Sequence, residues 1–179
     1  PALDRATLIA HKDRESARLN GIYEGLLEGA GVRIIKGRAR LLDRNTVEVD
    51  GNTFTTERIL IATGGRPFRV PIPGFEHCIT SDEIFHLEKQ PEKILVTGGG
   101  YIAVEFAGIF NGLGTEVVLN YRGPVFLRGF DDDIRTTLAE EMSKRGVDLR
   151  FETMVDRIDR KGNRLAATLS TGDVLEIDQ

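Results

Sequence analysis

The sequence predicts an α/β fold built on parallel strands, and two observations carry that prediction. The run Ile94-Leu95-Val96-Thr97-Gly98-Gly99-Gly100-Tyr101-Ile102-Ala103-Val104-Glu105 passes from a short apolar stretch through a glycine turn straight into a helical pattern. Thr115-Glu116-Val117-Val118-Leu119-Asn120 then reads as a second buried strand, which completes a βαβ unit of about 30 residues. Two parallel strands joined by one helix are the basic unit of an α/β sheet.

Taken in order, Leu3 to Glu28 holds strong helix formers, with Leu8, Ile9, Leu19, Ile22, Leu26 and Leu27 at three- and four-residue intervals, and Gly29 to Gly31 stops the pattern. Val32 to Leu42 reads as a strand. Thr46 to Val49 and Thr53 to Thr55 are two more, joined through Asp50-Gly51-Asn52 as a hairpin, so the three make a β-meander. Arg58 to Ala62 is an apolar strand running into Thr63-Gly64-Gly65-Arg66-Pro67. Pro67, Pro71, Pro73 and Gly74 form an extended connection, where a domain border is expected: 1–75 on one side, 76–179 on the other.

Beyond the border, Thr80 and Glu83 have capping-box spacing, which predicts a short helix through Ile84, Phe85 and Leu87. Lys93 to Thr97 is the first strand of the βαβ unit, and Pro91 bars a helix from entering it. Ile102, Phe106, Ile109, Phe110 and Leu113 mark its helix, which Gly112 and Gly114 can end. Asp131 to Arg145 predicts another amphipathic helix, acidic in its first turn and basic in its last, closed by Gly146. The remainder alternates polar and apolar residues, predicting strands at 148–153, 155–160, 164–170 and 174–177.

The glycine turn is where the chemistry is expected. Gly98 permits the tight turn, Gly100 lets backbone approach a pyrophosphate, and Ala103 is small enough for helix and strand to lie close. Unpaired amides at the helix start, with the positive end of its dipole, face the anion. An NAD site usually places an acid about 20 residues past the first glycine, on the ribose 2′-hydroxyl. Here that position offers Asn120-Tyr121-Arg122, followed by Arg128. Guanidinium forks suit a 2′-phosphate, so NADPH is the expected coenzyme; the alternative is that both arginines are ordinary surface charges.

Composition frames these motifs. The 179 residues carry a net charge of −4 with no basic stripe, which speaks against a nucleic-acid partner. No apolar stretch approaches the length of a membrane span and no secretory pattern opens the chain, so a soluble cytoplasmic protein is the expectation. Cys78, the one cysteine, cannot form an internal disulfide or a redox pair, and is read as a structural or incidental thiol. His11, His77 and His86 lie at no metal-ligand spacing, and no metal is expected.

Ala62-Thr63-Gly64-Gly65-Arg66-Pro67, then Gly98 through Gly108, then Asn120-Tyr121-Arg122 through Leu127-Arg128-Gly129-Phe130-Asp131, resemble the FAD-dependent pyridine nucleotide disulfide oxidoreductases over essentially the whole chain. Within that family the chain is most similar to the bacterial members that reduce glutathione disulfide. The resemblance implies Rossmann-like, three-layer ββα nucleotide-binding domains of the two-dinucleotide-binding-domain flavoprotein type. They would be incomplete: 1–75 the C-terminal part of an FAD-binding domain with its β-meander, and 76–179 an NADPH-binding domain lacking its last strands.

By resemblance, Arg122 and Arg128 grip the 2′-phosphate of NADPH, and Ala103 and Ala107 stand where NADPH-using members have alanine. Tyr101 matches the tyrosine that covers the flavin face, and Ile102 and Glu105 match residues beside the nicotinamide. Ala39, Thr63 and Gly64 match backbone that meets FAD. From the residues alone, Tyr101 and Ile102 also read as helix core and Glu105 as an exposed acid. The family's redox cysteine pair has no counterpart here, so no catalytic residue is assigned, and the chain is read as a fragment that is inactive on its own and could supply only the first leg of electron transfer. The parent would be a homodimer passing hydride from NADPH to FAD, then electrons to the cysteine pair and to glutathione disulfide. A related flavoenzyme with another acceptor, and a module that only binds nucleotide, remain alternatives.

Overall fold

The computed structural model describes residues 4–179; Leu3, where the first helix is expected to begin, lies outside them. Contacts divide the chain into two compact units, Ala10–Arg66 and the stretch Pro67–Gln179 together with the residues up to Ile9.

In the Ala10–Arg66 unit, most of helix α1 (Arg5–Gly29) precedes a three-stranded antiparallel sheet of β1 (Ala39–Leu41), β2 (Thr46–Val49) and β3 (Asn52–Thr55), in the order β1-β2-β3. The expected meander is present, with Ala39 opposite Val49 and Val49 opposite Asn52. Its turn is tighter than read from sequence: Asn52 pairs, leaving Asp50 (φ 49°) and Gly51 (φ 82°) as the two central residues of a hairpin.

Two strand expectations in this unit need correction. The expected strand over 32–42 shrinks to its last residues, because Val32 is used to end α1. Its N–H donates to the Leu27 carbonyl at 2.9 Å, and the Gly31 N–H to Glu28 at 2.9 Å. With Gly31 left-handed at φ 75°, this is a Schellman cap. Arg58–Ala62 forms no strand at all: nothing among the described residues pairs with it, and Leu60 is 90% exposed. Apolar, β-branched sequence specifies a strand only where a neighbour completes the ladder.

The second unit has three layers. β4 (Lys93–Thr97), β5 (Glu116–Tyr121) and β6 (Asp148–Phe151) form a parallel sheet in chain order, with crossovers through α3 (Tyr101–Gly112) and α4 (Asp132–Lys144). β7 (Val155–Lys161), β8 (Arg164–Leu169) and β9 (Val174–Ile177) form an antiparallel meander. The period-two alternation of β4 supplies both interfaces. Ile94 and Val96 join the core with Ala107, Phe110 and Val117 on the helix side, while Leu95 packs with Ile158 and Leu165 of the meander. This is a ββα sandwich of meander, parallel sheet and helices.

α2 (Ser81–Ile84) is shorter than expected, ending before Phe85 and Leu87, although its capping box is complete: Thr80 accepts from the N–H of Asp82, and Glu83 accepts from the backbone N–H of Thr80 at 2.7 Å. α4 opens on Asp131, whose carboxylate accepts from the N–H groups of Asp133 and Ile134. Among the described residues, no helix is long and apolar enough to cross a membrane.

Candidate nucleotide site

β4 ends at Thr97 and the chain turns at Gly98, with φ 148° and its N–H bonded to the Asn120 carbonyl at 2.9 Å. A Cβ at Gly98 would lie 3.4 Å from that of Ala103, so strand and helix approach as closely as the sequence motif predicts. Gly100 then begins α3 at φ −85°, with no side chain capping the helix and no acid in its first turn. The first amides of the helix therefore meet neither a competing acceptor nor a local negative charge.

The three glycines serve different purposes. A Cβ on Gly100 would meet nothing within 4 Å, which leaves open space in front of the helix. At Gly99 the same atom would run into the Tyr121 ring, and at Gly123 it would come within 2.6 Å of Tyr121 Cε1. The Tyr121 ring thus lies against backbone of both segments, at the end of the strand that leads to Arg122.

Parallel pairing sets Asn120 opposite Thr97, so β5 ends beside the glycine turn. Residues 122–131 return to the same turn: the N–H of Leu127 donates to the Gly99 carbonyl at 2.6 Å. Leu127 is in the left-handed region at φ 57° and is buried. Arg122 and Arg128, on either side of this anchor, are both exposed, and neither side chain has a hydrogen bond or ion pair among the described residues. Two uncommitted cations on a loop tied to an uncapped helix start make a site suited to an anion larger than a single phosphate.

Asn120 is almost fully buried. Its Nδ2 donates to the Thr153 carbonyl at 2.7 Å, while Oδ1 has no partner. It fixes the end of β5 against the segment after β6.

The other expected residues are placed less tellingly. Tyr101 is 60% and Ile102 42% exposed, so neither is the helix core residue that periodicity alone allows. Glu105 is exposed one turn further along α3, and Ala107 is buried at the sheet. Ala39, Thr63 and Gly64 belong to the other unit and are exposed, and no orphaned buried polar atom or close backbone approach distinguishes them as a flavin cradle. A cleft of about 560 Å³ between α3 and α4, lined by Val104, Gly108, Leu138 and Met142, contains none of the expected nucleotide residues. Cys78 is half-buried beside Ile158, and burial, then the charge of Glu76, raises its thiol pKa, which makes it a poor nucleophile.

Sequence reasoning missed Arg135, whose guanidinium bonds the carbonyls of Val125 and Phe126 in the arginine-bearing loop. In sequence it is one more cation on an exposed helix, and nothing in its spacing marks it.

Comparison with known proteins gives the family of the chain. The family model described as pyridine nucleotide-disulphide oxidoreductase matches residues 2–179. The chain is 49% identical to glutathione reductase of Burkholderia cepacia over 172 residues, covering 96% of this chain and 38% of that protein. It is 43% identical to trypanothione reductase of Leishmania donovani, covering 80% of this chain and 32% of that protein. Among solved structures, the HOCl-induced flavoprotein disulfide reductase RclA from Escherichia coli superposes with a TM-score of 0.83 at 27% identity, covering 98% of this chain and 41% of that one. The chain therefore spans well under half the length of the relatives it matches.

Proposed function

Since the chain belongs to the pyridine nucleotide-disulphide oxidoreductase family, we propose that it carries the NADPH-binding site of a flavin-dependent enzyme that reduces glutathione disulfide. The observation that carries the coenzyme assignment is the pairing of an uncapped α3 start, open in front of Gly100, with the unpartnered Arg122 and Arg128. When bound, NADPH supplies a hydride, which the family passes by way of FAD to a disulfide.

The chain's own residues would divide the work of binding. The amides at the start of α3 hold the pyrophosphate, and Gly98 and Ala103 keep helix and strand close enough to aim them. Arg122 and Arg128 neutralise the 2′-phosphate by charge-assisted hydrogen bonds. Tyr101 and Ile102 expose apolar surface beside the turn, suited to a flat aromatic ring, and Glu105 presents a carboxylate one helical turn away. Ala39, Thr63 and Gly64 are assigned to FAD, and the parent enzyme to a homodimer, by family resemblance alone.

Glutathione disulfide as substrate is supported by the relatives named glutathione reductase. A second acceptor is supported by the relative named trypanothione reductase. The test is NADPH oxidation by the full-length, flavin-loaded protein with each disulfide in turn. A protein without flavin absorbance overturns the reading, and a preference for another disulfide transfers it to the second acceptor.

A further inference from the structure

We propose that Arg135 is a positioning residue that sets the preference for a 2′-phosphorylated coenzyme by holding the loop on which Arg122 and Arg128 sit; this rests on the nucleotide reading above. Its Nε–H donates to the Phe126 carbonyl and an Nη2–H to the Val125 carbonyl, both at 2.8 Å. The remaining edge of the guanidinium pairs with Asp132. Only 16% of the Arg135 side chain is exposed, against 86% for Asp132, so the arginine lies under the loop and does not reach into solvent.

Two adjacent loop carbonyls need two donors at a fixed separation. A planar guanidinium offers that fork, whereas an ammonium is a point charge that satisfies one carbonyl well and the other poorly. The bonded carbonyls lie between the two coenzyme arginines, three residues after Arg122 and two before Arg128. The same segment is fixed from its other sides. Phe126 is fully buried, edge-on to Phe151, and Leu127 donates to Gly99. Leu127 keeps a left-handed backbone that is unfavourable for leucine and persists where neighbours over-determine it.

Loss of the Arg135 fork frees the Arg122 side of the loop while Leu127 still tethers Arg128. A coenzyme that lacks the 2′-phosphate does not use either arginine and is insensitive to that change. Arg135 thereby acts through other residues, with its own donors committed to the two loop carbonyls and to Asp132.

The test is calorimetric titration of the chain with NADP+ and with NAD+, for wild type, Arg135→Met and Arg135→Lys, with thermal melts to establish that each variant is folded. Arg135→Met is expected to weaken NADP+ about tenfold, as loss of a supporting contact does elsewhere, and to leave NAD+ unchanged. Arg135→Lys should fall between. A folded variant with the wild-type ratio of the two affinities, or one that weakens both coenzymes equally, overturns the proposal. Should Arg135→Met not fold, the ratio in Arg135→Lys decides by the same criteria. Wild-type protein that does not favour NADP+ would instead overturn the nucleotide reading itself, a result distinct from an unchanged ratio.

Discussion

Replacing both Arg122 and Arg128 by Met is expected to remove most of the preference for NADP+ over NAD+. Neither guanidinium has a partner among the described residues, so the substitution breaks no ion pair seen there and should leave the melting temperature nearly unchanged. A hydrogen bond to a charged group contributes about 1.5 to 3 kcal/mol, but both arginines are exposed, and screening brings each to about 1 to 1.5 kcal/mol. Two such losses amount to about 2 to 3 kcal/mol, or roughly a 30- to 140-fold weakening at about 1.4 kcal/mol per decade. Calorimetric titration at low salt reads this directly, and the wild-type preference should shrink as ionic strength rises. An equal loss for both coenzymes, or none for either, would refute the 2′-phosphate assignment.

The glycines of the turn should separate stability from binding. Gly100→Ala adds a Cβ into open space, so stability should change by less than about 1 kcal/mol while dinucleotide affinity falls. Gly99→Ala collides with the Tyr121 ring and should cost about 1 to 3 kcal/mol in urea unfolding whether or not coenzyme is present. Phe126→Ala empties a fully buried site, and a loss of about 3 to 5 kcal/mol is expected by the same measurement. Hydrogen bonding first from the Thr80 hydroxyl and then from its backbone N–H holds the Glu83 carboxyl below the usual carboxylate range. A depressed folded pKa means that the cap's contribution is present above the unfolded value and is lost as pH falls through the folded one. An NMR titration should find Glu83 among the last glutamates to protonate, and Thr80→Ala, which removes the hydroxyl but keeps the backbone N–H, should raise it toward the ordinary range.

Local sequence sufficed where each signal had its partner nearby. The βαβ unit was legible because β4, the glycine turn, α3 and β5 are consecutive, and the Thr80 and Asp131 caps satisfy amides within three residues of themselves. Arg58–Ala62 was misread because periodicity reports that a segment is apolar, not that a neighbouring strand is present to pair with it. Val32 was misread because the Schellman cap of α1 uses its N–H, and a β-branched residue after a glycine resembles a strand start. At the candidate site, Gly98, Gly100 and the two arginines are proposed from motif and strand end. The ties that shape the loop did not: Leu127 to Gly99 and Arg135 to Val125 and Phe126 join residues through backbone carbonyls, which carry no mark in sequence.

The most direct test is an amide chemical-shift titration of the chain with adenosine 2′,5′-bisphosphate, the part of NADPH that should distinguish it from NADH. Saturable shifts confined to the turn and start of α3, from Gly98 to Ala103, and to the loop from Arg122 to Arg128 are the predicted result. Shifts that leave these segments untouched, or that 5′-AMP reproduces at the same concentration, would contradict an NADPH site at this turn.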